Sequence, residues 1–162
     1  MIYLAADHRG FQLKEAIKKS LIERGFEVED RGALAYDALD DYVDFASAAA
    51  EKIAKSLIER EGDLSRASEA SRGIFLCGSG HGVDIVANKF RGVRAALCWN
   101  TQVAKESREH GDGNVLVLPA DWLDEARAQE IVSVWLGASF SGEDRHIRRL
   151  EKIEEIEKKN FK

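Results

Sequence analysis

Gly73-Ile74-Phe75-Leu76-Cys77-Gly78-Ser79-Gly80-His81-Gly82 is the most informative segment of the chain. Its first five residues run apolar without alternation, the pattern of a strand covered on both faces. Glycines then recur at positions 78, 80 and 82. Such spacing lets the backbone turn tightly and aim several N–H groups at one spot, just where a helix would open. Buried strand, glycine turn and helix together make the repeating unit of a parallel α/β sheet.

The same unit recurs on either side. Ile2 to Ala6 reads as a first strand, ending at Asp7-His8-Arg9-Gly10, and Leu13, Ala16, Ile17 and Leu21 follow at helical spacing until Gly25. Phe26 to Glu29 alternates as a short strand, and Val43, Ala46, Ala50, Ile53 and Leu57 mark a helix from about Asp41. Arg60 to Arg72 is polar and aperiodic, a surface loop or helix extension. Val93 to Trp99 and Val115 to Leu118 read as strands around a helix over Thr101 to Glu109. A helix carrying Leu123, Ala126, Ile131, Val134 and Trp135 follows, then a charged terminal helix over Ile147 to Lys159. Ile147, Leu150, Ile153 and Ile156 recur there every third residue, a stripe that drifts around the helix and suits packing on another surface, such as a second subunit. The expectation is one domain over residues 1–162: an α/β, three-layer, doubly wound (Rossmann-like) parallel sheet of about five strands with an extended C-terminal helix.

Composition narrows the classes. The hydrophobic fraction of 44% supports a folded globule, and no apolar run reaches the roughly 20 residues a bilayer span needs. The start lacks a basic region ahead of an apolar one, so the expected location is cytoplasmic, with no membrane partner. A net charge of −5 argues against nucleic acid as a partner and directs attention to local arginine clusters. The two cysteines, Cys77 and Cys98, sit in apolar runs without metal-ligand spacing, which fits reduced thiols and no metal site.

In open parallel sheets ligands bind at the carboxyl ends of the strands. That rule selects Asp7-His8-Arg9-Gly10, Cys77 to Gly82, and the residues after Trp99. The glycine loop lacks the Lys-Ser/Thr ending of a P-loop and the spacing of a dinucleotide fingerprint; it suits an oxyanion or phosphate, and equally a plain turn. Cys77 reads either as a small buried hydrophobe or as a thiol whose thiolate the following helix start favours. His8 and His110 are the further proton-transfer candidates. Arg145 and Arg149, four apart, share a helix face and fit either a phosphate clamp or a solvated face paired with Asp144 or Glu151.

Together with Ala6 to Phe11 and Cys77 to Gly80, the segments Asp41-Tyr42, Ala87 to Phe90, Gly92 to Ala95, Asn114 to Leu116, Trp135-Leu136 and Arg145-His146 resemble the ribose-5-phosphate isomerase B family, which includes galactose-6-phosphate isomerase subunits and allose-6-phosphate isomerase. The resemblance runs from Ile2 to about Ile156. It implies that Cys77 shuttles a proton between C2 and C1 of a sugar phosphate through a cis-enediol. The Gly78, Gly80 and Gly82 region would stabilise the enediolate, with His81 and Tyr42 also lining the pocket. His110, supplied by a partner subunit, would open the sugar ring with Asp7 or Ser79, and His8, Arg145 and Arg149 would hold the phosphate. No cofactor is implied, and the working unit would be a homodimer or homotetramer with interface active sites, or a pair with a homologous partner chain.

The chain departs from that pattern at several points. Gly111 stands where relatives carry an asparagine after the histidine, and Asp121 where many carry an arginine. His81 replaces an asparagine or aliphatic residue, Val43 a proline, and Val83 the glutamate some relatives use as base, which leaves Cys77 as the candidate. Two further readings follow: an isomerase for a four- or six-carbon sugar, and a non-catalytic subunit that binds sugar phosphates.

Overall fold

Side chains along Arg72–Cys77 divide cleanly between two cores: Ile74 and Leu76 join one, Phe75 and Cys77 the other. That division is period-two geometry acting on a continuous apolar run. The computed structural model describes residues 1–58 and 71–161. Its strands are β1 (Ile2–Ala6), β2 (Val28–Asp30), β3 (Arg72–Cys77), β4 (Ala95–Leu97) and β5 (Val115–Pro119), all parallel, in the spatial order β2-β1-β3-β5-β4. The helices are α1 (Phe11–Glu23), α2 (Tyr42–Ile58), α3 (His81–Ala87), α4 (Thr101–Gly111), α5 (Glu125–Gly137) and α6 (Asp144–Asn160).

One face of the sheet is covered by α1, α4 and α5, through Ile17, Leu21, Ala104, Ala128, Ile131, Val132 and Trp135. The other is covered by α2 and α3, where alanines at 46, 49, 50 and 54 let α2 lie close to the strands. This is the expected three-layer doubly wound sheet. From β1 the chain winds outward to β2, and from β3 it winds the opposite way, so the order reverses between β1 and β3. The outer strands β2 and β4 have three residues each, against five or six in the inner ones.

Several boundaries differ from the sequence expectation for identifiable reasons. The second strand begins at Val28, two residues late, because Gly25 (φ +81°) ends α1 with a turn in which Phe26 N–H donates to Leu21 O. The fourth strand keeps only Ala95–Leu97, since Asn100 already caps α4 by accepting from Val103 N–H at 2.8 Å. His110 lies inside the last turn of α4, whose cap is Asp112 in the left-handed region (φ 41°). Leu123 precedes its helix: Asp124 caps α5, after a 3₁₀ turn at Ala120–Trp122. Arg72 opens β3, whereas residues 60–70 of the polar stretch lie outside the described residues. α6 buries only His146; Ile147, Ile153 and Ile156 of its stripe stay 40–58% exposed.

A buried charge network fixes the segment after β2. Lys14, fully buried, donates to Asp30 Oδ2, Glu15 Oε1 and Ala33 O, and Asp30 also accepts from Lys18 and from Gly32 N–H. Gly32 runs so close to β1 that a Cβ would lie 2.6 Å from Ala6 N. Burial opposes ionisation of Asp30, but the hydrogen bonds from Lys14 and Lys18 outweigh it and hold the carboxyl below its ordinary value. Asp30→Ala should therefore cost about 3 kcal/mol at neutral pH, because it strands the Lys14 ammonium. A lowered carboxyl contributes stability above its unfolded value of about 4, and loses it as pH falls through the folded value. Urea unfolding should show the gap between wild type and variant closing on acidification.

Candidate active site

The carboxyl ends of β1, β3 and β5, three adjacent strands, meet at the reversal of strand order. The β1 loop arrives first. Asp7 is 4% exposed, and its Oδ1 accepts from Arg9 N–H (3.0 Å) and Gly10 N–H (3.1 Å), which turns the chain into α1. Gly10 packs against β3 so tightly that a Cβ would meet Leu76 Cβ at 2.7 Å. The β1 and β3 loops are therefore in contact. His8 is held twice by Asp40, through its N–H (3.0 Å) and its Nδ1–H (2.6 Å), both donating to Oδ1. Tyr36 meets the same imidazole edge-on.

Cys77 ends β3 as a free, buried thiol. The loop beyond it is shaped by close approaches. Gly80 adopts φ +79°, and a Cβ there would lie 2.4 Å from Leu97 Cδ1. Gly82 packs on the ring of Tyr42, and Gly78 on the guanidinium of Arg9 and the carboxylate of Asp121. Asp121 N–H also donates to Gly78 O at 3.0 Å, so β5 pins the loop from its other side. Ser79 is partly exposed and His81 exposed. Burial pushes the Asp84 carboxyl of α3 upward, with His81 partly offsetting it.

The second cysteine is chemically different. Burial pushes the Cys98 thiol up to about 11, the Asp84 charge adds to the rise, and a hydrogen bond with Ser107 partly offsets it. At neutral pH Cys98 is a protonated packing residue. The candidate base is thus Cys77.

His110, Arg145 and Arg149 are not brought to this end of the sheet. α4 runs back along the strands, so its last turn lies at their amino ends, where Arg94 Nε–H donates to Gly111 O and Asn114 N–H to Arg94 O. His146 Nδ1–H donates to His110 O at 3.0 Å and its ring packs on that of His110, 4.5 Å between centroids. α6 therefore starts at the same edge. Arg145 pairs with Glu143, and Arg149 is exposed. Cations crowd there: burial and then repulsion from Arg108 lower the Arg72 guanidinium, with Asp112 opposing. The two ends are separated by the length of a five-residue strand, about 15 Å. Within one chain, therefore, His8 is not brought together with Arg145 and Arg149.

Asp7, His8 and Asp40 each offer a ligand atom, all within 4.8 Å of one another. The Oδ1 atoms of both carboxylates already accept two hydrogen bonds each. Asp40 and Tyr36, both against His8, are the neighbours that sequence reasoning missed, whereas Arg9 lies in a selected segment without a role assigned to it. Their signal was proximity to Asp7-His8 and Asp41-Tyr42 along the chain.

Residues 2–153 match the family model described as Ribose/Galactose Isomerase. The chain belongs to this family. Among its relatives, the ribose-5-phosphate isomerase B of Escherichia coli is 39% identical, covering 98% of this chain and 97% of that protein. The probable ribose-5-phosphate isomerase B of Mycoplasma genitalium is likewise 39% identical, over 97% of this chain and 95% of that protein. A crystal structure of the Mycoplasma genitalium enzyme with bound ribulose 5-phosphate superposes with a TM-score of 0.87, at 38% identity, over 98% of this chain and 97% of that one. As a ribose/galactose isomerase family member, the chain has a three-loop cluster at the strand ends that can perform acid–base chemistry on a small anion. It offers the Cys77 thiol, the His8 imidazole anchored by Asp40, the Asp7 carboxylate and the close-packed loop through Gly78, Gly80 and Gly82.

Proposed function

We propose that this chain interconverts an aldose phosphate and its ketose, with ribose 5-phosphate and ribulose 5-phosphate as the pair, acting over residues 1–162 as one catalytic domain. The observation that carries the reading is the placement of Cys77 at the strand-order reversal, beside the Asp7-His8 loop. Relatives named for the same reaction support it.

With the ring opened, the Cys77 thiolate takes the proton from C2 while the C1 carbonyl oxygen gains charge. The amides around Gly78 to Gly82 stabilise that charge. The O2 proton passes to O1, and Cys77 returns its proton to C1, leaving the C2 ketone. Asp7 or Ser79 assists ring opening together with a partner's copy of His110. His8 binds the phosphate, with Arg145 and Arg149 from the partner. A base, an acid and an anion hole suffice for this transfer, so the mechanism requires neither metal nor organic cofactor. The separation of His110 and Arg145 from Cys77 within one chain favours a homodimer or larger oligomer whose sites span two subunits.

Purified protein mixed with ribose 5-phosphate in heavy water should generate ribulose 5-phosphate, with solvent deuterium entering the transferred position, read by NMR. Failure to convert any four-, five- or six-carbon aldose phosphate would overturn the proposal. A clear preference for another chain length would change the substrate and keep the chemistry.

A further inference from the structure

Arg9 and Asp121 come from loops 112 residues apart and form an ion pair directly over the residue that follows Cys77. The contact is close: a Cβ on Gly78 would lie 2.5 Å from both Cζ and Nε of Arg9, and 2.8 Å from Asp121 Oδ2. Neither group is free to drift. Arg9 N–H is tied to Asp7 Oδ1, and Asp121 N–H to Gly78 O. The pair therefore straps all three loops of the site, and it does so immediately beside His8.

We propose that Arg9, held in place by Asp121, is a selectivity residue that receives the anionic end of the substrate; this deepens the function proposed above and rests on it. A carboxylate alone at position 121 would set a negative charge beside the glycine loop and repel a phosphate. Pairing cancels that charge, and the exposures fix which partner faces outward: the Arg9 side chain is 55% exposed and that of Asp121 35%. Only Nη2 of Arg9 is engaged, leaving Nε and Nη1 unengaged among the described residues. A planar guanidinium with donors to spare is the group best suited to a phosphate. Its neighbour His8 is turned toward Asp40 through Nδ1, so in the imidazolium form Nε2–H can donate to the same anion. Arg9 thus discriminates phosphorylated from unphosphorylated sugars and leaves the proton transfer to Cys77.

The test compares Arg9→Ala, Arg9→Lys, and Arg9→Ala combined with Asp121→Asn. Steady-state kinetics use ribose 5-phosphate, and calorimetry measures the Kd of inorganic phosphate. Arg9→Ala should raise KM and the phosphate Kd by about tenfold or more with kcat within about twofold, the split expected when a binding contact is lost. Adding Asp121→Asn should recover part of that loss, because the bare carboxylate is gone. Arg9→Lys should fall between, keeping the charge and losing the fork. An unchanged KM and phosphate Kd in Arg9→Ala would overturn the proposal, as would a fall in kcat at constant KM, which marks a strap of purely structural effect. If Arg9→Ala does not fold, Arg9→Lys carries the same comparison with wild type. Wild-type protein that converts no sugar phosphate refutes the proposed function; the phosphate Kd series then still decides the role of Arg9.

Discussion

Cys77→Ala is expected to lower ribose 5-phosphate turnover by about a thousandfold, within the range that general acid–base groups contribute. The thiol is the base that the proposed transfer uses. Ser79, its neighbour in the loop, offers only a hydroxyl, far too weak a base at neutral pH. The substitution removes one sulfur from the core cluster that also holds Phe75, Val83 and Val117, so thermal unfolding should move by only a few degrees. Cys98→Ala is the matched control. Its thiol is pushed up to about 11 and donates to Ala96 O at 3.3 Å, so this variant should keep its turnover. Equal activity of Cys77→Ala and wild type would remove the proposed mechanism.

His110→Ala should be as inactive as Cys77→Ala, and a mixture of the two inactive proteins, unfolded and refolded together, should regain activity. If each site takes Cys77 from one chain and His110 from the other, a mixed dimer has one wholly native site and one doubly defective site. Random pairing in a symmetric dimer then predicts about a quarter of wild-type turnover. Sites built within a single chain would give no recovery at any mixing ratio. His146→Ala, which removes the ring packed against His110, should weaken the recovery without abolishing it.

Strand and helix order was legible because the decisive signals are local. Gly73 to Cys77 is apolar throughout since helices cover both faces, and Gly25 stops α1 by taking a positive φ. Cys77, Asp7 and His8 could be assembled from the rule that ligands bind at strand ends, which is topological and needs no side-chain detail. What sequence could not supply was pairing at long range. Asp40 reaches His8 across 32 residues, and Asp121 reaches Arg9 across 112. Neither partner bears a local mark: Asp40 and Asp41 look alike in sequence, and only the anchored turn after β2 decides which one meets His8. For Asp121, the departure from the family pattern was visible, but its partner was not. The end of α4 was misplaced for a subtler reason. An aspartate in the left-handed region closes that helix, a conformation usually read from glycine.

The three-residue outer strands have a consequence for how this protein behaves when crowded. A sheet edge is a template for uncontrolled strand addition, and its hazard grows with the number of unpaired backbone groups in a row. Here β2 also carries Glu29 and Asp30, and β4 is cut short by the capping Asn100. Fibrillar growth through either rim is therefore poorly supported. Exposed apolar side chains such as Leu34, Leu39, Trp122 and the α6 isoleucines associate by side-chain packing and not by backbone pairing. Overproduction should therefore give no amyloid-like deposits seeded from the rims of the sheet.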